Sequence, residues 1–352
     1  TGTYKITDEL VASAGVRYAY TEAKGRPGKG LTGQNMMMLF SEYGQRQWDM
    51  ERMKNYKRPD GSQISWNRRS FANDTLAFSN NPYWTRYEEY QTDNRSRVFG
   101  SLGLDYNATD WLTLSTKVFM DAYNTLQEER SAKDYLPGGY IRNTIDFREM
   151  NYLGTANVRK DLGEKFNVNV TVGGNIMRQE AKLVTGATTT GLGSAGVYTL
   201  ANSLGPVLIT ELNPRKQINS LFGTATIGYT NSVFLELSGR NDWSSSLLKN
   251  GKPRPYFYPS ASTSIIFSDW IENAKWLSFG KVRAGIAQVG NDTDPYNLFT
   301  VYQAPTQFAG QSMTGIDPTR RNPDLLPEMS TEKEAGIELK MFDNRFGVDF
   351  TY

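Results

Sequence analysis

The side chains best suited to breaking bonds in this 352-residue sequence are two adjacent carboxylate pairs, Glu88-Glu89 and Glu128-Glu129. A glycosidase needs two such groups facing each other across the scissile bond. Neighbouring side chains on a strand point to opposite faces, and both pairs lie in or near stretches that read as loops. Neither pair therefore reads as a catalytic dyad. The sequence has no His and no Cys, which removes Ser-His-Asp and Cys-His nucleophiles, Cys/His metal sites and disulfides. No catalytic residue, metal or cofactor is expected.

The second concentration of chemistry is non-covalent. Between Tyr43 and Tyr90 stand Trp48, Tyr56, Trp66, Tyr83, Trp84 and Tyr87, among many polar groups. Aromatic faces beside hydrogen-bond donors can stack on sugar rings or hold peptide side chains. Trp48, Trp66, Tyr83, Trp84 and Tyr87, with Trp243 farther along, are the candidate contacts to a ligand or partner. The competing reading has the same rings packing a long loop against itself.

What must position these residues is a repeated hairpin. Val98, Gly100, Leu102, Leu104 and Tyr106 alternate with Phe99, Ser101, Gly103 and Asp105. A polar turn at Asn107 to Asp110 follows, and then Leu112 to Asp121 alternates in the same way, which predicts two strands joined by a tight turn. The unit recurs around Tyr152 to Val172, Leu221 to Ser238, Ser260 to Gln288 and Ala335 to Phe350. Leu10 to Tyr20 reads as a strand leaving a turn that resembles the one at Thr109 to Leu112. About eleven strands are expected. Long connections are expected at Thr21–Asn94, Ala122–Met150, Asn175–Lys216, Asn241–Tyr256 and Val289–Thr331, alternating with the short turns.

Strict alternation of short turns and long loops is the pattern of a transmembrane β-barrel, with short periplasmic turns and long extracellular loops. Closure leaves no sheet edge for lipid to meet. The expected fold is therefore all-β, an antiparallel transmembrane barrel. Trp111, Tyr106, Tyr229, Trp270, Trp276 and Tyr352, at or near strand ends, are candidates for an interfacial aromatic girdle. The near-neutral charge, +2, gives no reason to expect nucleic acid. No export signal begins the sequence, and its last residues read as mid-strand, so residues 1–352 are expected to be one part of a barrel cut at both ends.

Several strings resemble the SusC/RagA-like TonB-dependent outer-membrane transporters of Bacteroidetes. They are Asn322-Pro323-Asp324-Leu325-Leu326-Pro327-Glu328 with Glu334 to Leu339 and Phe342 to Tyr352; Leu235 to Ser245 with Phe257-Tyr258-Pro259-Ser260; Lys281-Val282-Arg283-Ala284 with Val289 to Asp292; and Asn81-Pro82-Tyr83-Trp84 after Asp60-Gly61 and Trp66-Asn67. Order and spacing agree over roughly residues 40–352. The resemblance implies a 22-stranded barrel around an N-terminal plug, with the plug, the TonB box and the closing strands outside this sequence. It implies coupling to the TonB complex, a SusD-like surface lipoprotein as lid, a possible dimer of such pairs, and oligosaccharide or oligopeptide cargo.

Within that frame Arg240 and Asp242, where a strand meets a connection, and Lys281 and Arg283, on one face of their strand, are candidates to face the lumen and the plug. A structural ion pair or loop anchor is the alternative for Arg240 and Asp242. The expected function is active import of oligomeric nutrients across the outer membrane, glycan favoured over peptide. The alternatives are a siderophore or cobalamin receptor and a surface glycan-binding β-protein that transports nothing.

Overall fold

A computed structural model describes residues 1–352 apart from 27, 32, 43, 272–275 and 303–305. Tyr43, where the aromatic-rich stretch was expected to begin, lies outside the described residues, as do residues 272–275 within the unit expected at Ser260 to Gln288 and part of Val289–Thr331. The strands are β1 (Gly2–Lys5), β2 (Leu10–Lys24), β3 (Gln91–Thr109), β4 (Leu112–Ser131), β5 (Gly139–Leu162), β6 (Phe166–Ala187), β7 (Leu208–Leu212), β8 (Arg215–Tyr229), β9 (Val233–Lys249), β10 (Lys252–Ile266), β11 (Leu277–Asn291), β12 (Thr306–Phe308), β13 (Gln311–Met313), β14 (Glu328–Met341) and β15 (Phe346–Thr351). Three short helices, α1 (Met36–Glu42), α2 (Met50–Met53) and α3 (Pro82–Tyr87), all lie between β2 and β3.

One 13-stranded sheet holds all but the small β12-β13 hairpin. It is a meander in chain order, β1-β2-β3-β4-β5-β6-β8-β9-β10-β11-β14-β15, with β7 attached to β6. Each neighbouring pair is antiparallel. The ladders assign every side chain to one of two faces. One row across the sheet reads Leu10, Tyr106, Leu114, Ala156, Val172, Gly223, Gly239, Pro259. A row on the other face reads Thr113, Asn157, Thr171, Thr224, Ser238, Ser260. One face is thus apolar and the other polar. The apolar row starts at the first residue of β2 and ends well inside β9 and β10, which is the stagger that strand tilt imposes on a closing barrel.

The apolar face is large and open. Leu102 is 63% exposed, and Leu104, Leu114, Val172, Leu221 and Leu237 are exposed with it. Large exposed apolar areas mark contact with another phase or partner. On β3 to β6 the apolar stripe runs over Val98–Tyr106, Leu112–Ala122, Met150–Val158 and Val168–Ile176, nine to eleven residues each. About 9–11 tilted residues cross a hydrocarbon core. The next residue on the same face is polar in every case: Ser96, Asn124, Arg148 and Arg178.

Beyond that switch the strands do not stop. Ala122–Met150, expected as a loop, is mostly strand, because β4 runs to Ser131 and β5 starts at Gly139, and Asn175–Lys216, expected as a loop too, is strand over about half its length, because β6 continues to Ala187 and β7 pairs with it. Asn241–Tyr256, also expected as a loop, is the tip of a long hairpin turned by Asn250-Gly251, with φ of 52° and 74°. Both residues must adopt positive φ in this tight turn, which Asn and Gly do at least cost. The physical reason for all three corrections is the same. Past the apolar span both faces meet water, so alternation vanishes while the hydrogen-bond ladder continues. On the formerly apolar face Arg148 now pairs with Glu180 at 3.0 Å, and Asn124 donates to Asp146.

The opposite ends of the strands are tight turns. Thr7 Oγ1 accepts from the Leu10 amide and Thr109 Oγ1 from the Leu112 amide, each at 3.1 Å, so the two turns share one local geometry. The strand before the first of them, β1, is an element beyond the eleven that alternation suggested. Trp111, Tyr106 and Tyr229 sit at this turn end, the last in contact with Phe166 at 4.9 Å between centroids.

Candidate functional site

The segment between β2 and β3 is a small folded unit at the end of the sheet away from the tight turns. Its core is partly polar. Asn81 is almost wholly buried and does three jobs. Its Oδ1 caps α3 by accepting from the Tyr83 amide at 2.9 Å, and its Nδ2 donates to the Met53 carbonyl at 3.0 Å and the Ile64 carbonyl at 2.8 Å. Pro82 follows at the first helical position, where its missing N–H leaves nothing unpaired. Gln63 Nε2 donates to Asn80 Oδ1 at 2.9 Å, and Asn80 Nδ2 donates to Glu89 Oε2 at 3.1 Å. Buried polar groups satisfied in this way fix one arrangement of the chain. Burial dominates at Glu89 and pushes its carboxyl up to about 7, against the pull of the Asn80 and Ala132 hydrogen bonds.

The six aromatic candidates separate into four situations. Trp84, on the inner side of α3, is 2% exposed and forms the core of the unit. Tyr83 and Tyr87, one helical turn apart on the other side, stack at 6.2 Å with planes 17° apart, and Tyr56 stacks on Tyr87 at 5.8 Å. Tyr87 is 58% exposed and Tyr83 and Tyr56 are half-buried, so the stack forms an aromatic ledge whose open ring is Tyr87. Tyr56 Oη donates to Glu88 Oε1 at 3.1 Å, and Lys57 reaches Glu88 Oε2 at the same distance, giving the ledge a polar rim. Burial, and then the Glu88 bond, raise the Tyr56 hydroxyl above its usual range. Trp48 and Trp66, half-buried, touch at 4.6 Å and line a separate cleft. Trp243 is elsewhere: it pairs with Asn219 and Pro255 on the face of β9 that carries Leu237 and Gly239, one place beyond Asn241.

Arg240 and Asp242 lie on the polar face. Arg240 Nε donates to both carboxylate oxygens of Asp242, at 2.8 and 3.0 Å, and another of its nitrogens donates to Ser220 Oγ at 2.7 Å. This is an ion pair that ties β8 to β9. Arg283 and Lys281 are on the polar face as well. Arg283 bonds Asp349 at 2.7 Å, and Arg283 and Lys281 line a hollow of about 400 Å³ with Glu236, Glu332 and Glu334. Along the apolar span of β3 to β6 charge stands on the opposite face only, which is the arrangement of a strand wall between lipid and an aqueous lumen.

The family described as TonB dependent receptor-like, beta-barrel matches residues 40–352. The chain belongs to that family. For a TonB-dependent receptor barrel the apolar face is the lipid face, the polar face lines the lumen, and the place of the protein is the outer membrane. A curated relative, TonB-dependent receptor P3 of Formosa agariphila, is 26% identical over 141 residues, which cover 39% of this chain and 14% of the relative. The fold matches the RagAB peptide importer in its closed-closed state with a TM-score of 0.75 at 17% identity, covering 99% of this chain and 38% of that chain. The ferric-catecholate import receptor Fiu of E. coli matches with a TM-score of 0.53 at 11% identity, covering 99% of this chain and 49% of that one. The chain thus spans about two fifths of the RagAB importer chain it resembles.

Sequence reasoning identified the aromatic-rich stretch and the polar-face charges. It missed the hub role of Asn81 and the difference between the two sides of α3. The spacing of Tyr83 and Tyr87, four residues apart around Trp84, was the signal for a one-turn helix with two unlike faces. It also missed the docking of the β6-β7 connection: Tyr198 Oη donates to the Glu88 carbonyl at 3.1 Å, and the Arg130 guanidinium lies between the rings of Tyr90 and Tyr198.

Proposed function

We propose that this chain forms part of the barrel of an outer-membrane importer of oligomeric nutrients, energised through TonB and capped by a SusD-like lipoprotein. The observation that carries the reading is the folded unit between β2 and β3, which sets a tyrosine ledge beyond the polar end of the apolar stripe, where external cargo or a lid would arrive. Flat rings with a Lys57 and Glu88 rim suit a sugar ring, so oligosaccharide is the leading cargo. Oligopeptide is the second reading, favoured by the fold likeness to the RagAB peptide importer. Plug, TonB box and closing strands belong to the same proposal, as does pairing of two importer units. So does a lumen role for Arg240, Asp242, Lys281 and Arg283. Nothing in this reading asks for catalysis.

The test is deletion of the full-length gene, followed by growth on defined oligosaccharides, on defined oligopeptides, and under iron limitation with ferric siderophores. Loss of growth on glycans alone supports the leading reading, and loss on peptides alone the second. Loss only under iron limitation overturns import of oligomers.

A further inference from the structure

The cleft that Trp48 and Trp66 line, about 670 Å³, also carries Arg52, Arg58, Arg68, Asp49 and Asp74 on its walls. Both carboxylates are already used within the chain. Asp49 Oδ1 accepts the backbone amides of Glu51 and Arg52, each at 3.1 Å. Asp74 is bonded to Arg58 at 2.6 Å, and Arg58 is further held by Ser62 Oγ and the Gln63 carbonyl. Arg52 and Arg68 remain. Both are exposed, and among the described residues neither side chain has a carboxylate or carbonyl partner. Asn81 fixes the walls, since it bonds the carbonyls of Met53 beside Arg52 and of Ile64 beside Trp66.

We infer that this cleft is a subsite for a carboxylate-bearing segment of the cargo, either an acidic sugar or an acidic peptide. Arginine presents a planar fork that binds carboxylate through two parallel hydrogen bonds. Two unpaired guanidiniums beside two indoles offer charge for the carboxylates and apolar surface for the rest of a repeating unit. Three arginines stand against two aspartates on the walls, so one positive charge is in excess, and among the described residues both aspartates already have partners within the chain. The inference rests on the reading that the β2-β3 unit meets cargo, and it narrows that reading to anionic oligomers.

The test uses the purified full-length receptor and two matched probe pairs: hexagalacturonate with its methyl ester, and a hexaglutamate peptide with hexaglutamine. Within each pair the backbone and length are the same and the carboxylate charges are removed. Binding of one anionic probe in preference to its neutral twin is expected, and the class it belongs to identifies sugar or peptide. Arg52→Gln and Arg68→Gln should each weaken that probe roughly tenfold, leave the neutral twin unchanged, and together abolish the preference. Lys29→Gln, exposed but outside the cleft, should change nothing. Equal binding of the twins by the wild type overturns the anionic assignment and leaves oligomer import standing. A preference that survives the double substitution overturns the cleft as its source. Failure of every probe to bind overturns this inference and leaves the import reading to the growth tests.

Discussion

Glu89 makes the β2-β3 unit sensitive to pH. Its carboxyl sits at about 7 in the folded chain against an ordinary value of 4.5, because burial penalises the charged form. A group whose folded value is raised stabilises the fold fully below the unfolded value and loses that contribution as pH rises through the folded one. Protection of residues 44–90 from proteolysis should therefore be greatest near pH 4.5 and fall towards pH 7.5. Glu89→Gln should flatten the profile, and an unchanged slope in that variant would assign the effect to another group. A second residue-scale contrast separates Trp84 from Tyr87. Trp84→Ala empties a filled core position and should cost the unit about 3–5 kcal/mol, read as accelerated hydrogen exchange over residues 50–90. Tyr87→Ala removes an exposed ring and should change stability by less than about 0.5 kcal/mol. If Tyr87→Ala also leaves cargo uptake and lid co-purification intact, the ledge is not a contact surface.

At the scale of the strand, facing decides what a substitution costs. Val170 pairs with Val158 and Ala225 on the apolar face, while Asn169 pairs with Arg159 and Thr226 on the polar one. Val170→Arg should destabilise the barrel by about 2–4 kcal/mol if that residue lies near mid-bilayer, measured by urea titration of the full-length protein refolded into vesicles. Asn169→Arg should cost far less, since its side chain reaches water. Equal losses at the two sites would mean that the faces are reversed or that the wall is not in lipid. The same ladders account for Trp243, whose expected role as a ligand contact now has a competitor. On the face of Leu235 and Leu237, near the outer end of the apolar stripe, an indole sits where interfacial aromatics anchor a barrel.

For the whole molecule the prediction is one of sidedness. The tight turns near Ala108, Glu164 and Asn344 lie at one end of the sheet, and the segments containing Trp66, Ala187 and Thr314 belong to the other. Single cysteines at these six positions, in a sequence that holds none, can be probed on intact cells with a membrane-impermeant reagent. Labelling at Trp66→Cys, Ala187→Cys and Thr314→Cys, with none at Ala108→Cys, Glu164→Cys and Asn344→Cys, is expected; the reverse pattern would invert the topology.

The sequence alone determined the class of fold, because period-two alternation is a one-dimensional record of a wall with lipid on one side and water on the other. It located the tight turns for the same reason: Asn107 to Asp110 and Asp343-Asn344 interrupt clear alternation on both sides. It failed where that cause was missing. Asn250-Gly251 is a strong hairpin signal, but its flanks, Ser244 to Lys249 and Lys252 to Tyr256, project past the apolar stripe and do not alternate. The ladder that holds them is made of backbone groups, which every sequence carries alike. Only the tertiary structure decided that Trp84 turns into a core while Tyr83 and Tyr87 turn out. Only it showed that Asn81 rivets Met53 to Ile64 across the unit, and that Arg58 is paired with Asp74 while Arg52 and Arg68 have no carboxylate partner among the described residues. Each of these depends on contacts between residues 10 to 30 positions apart, in a segment with no periodicity to announce them.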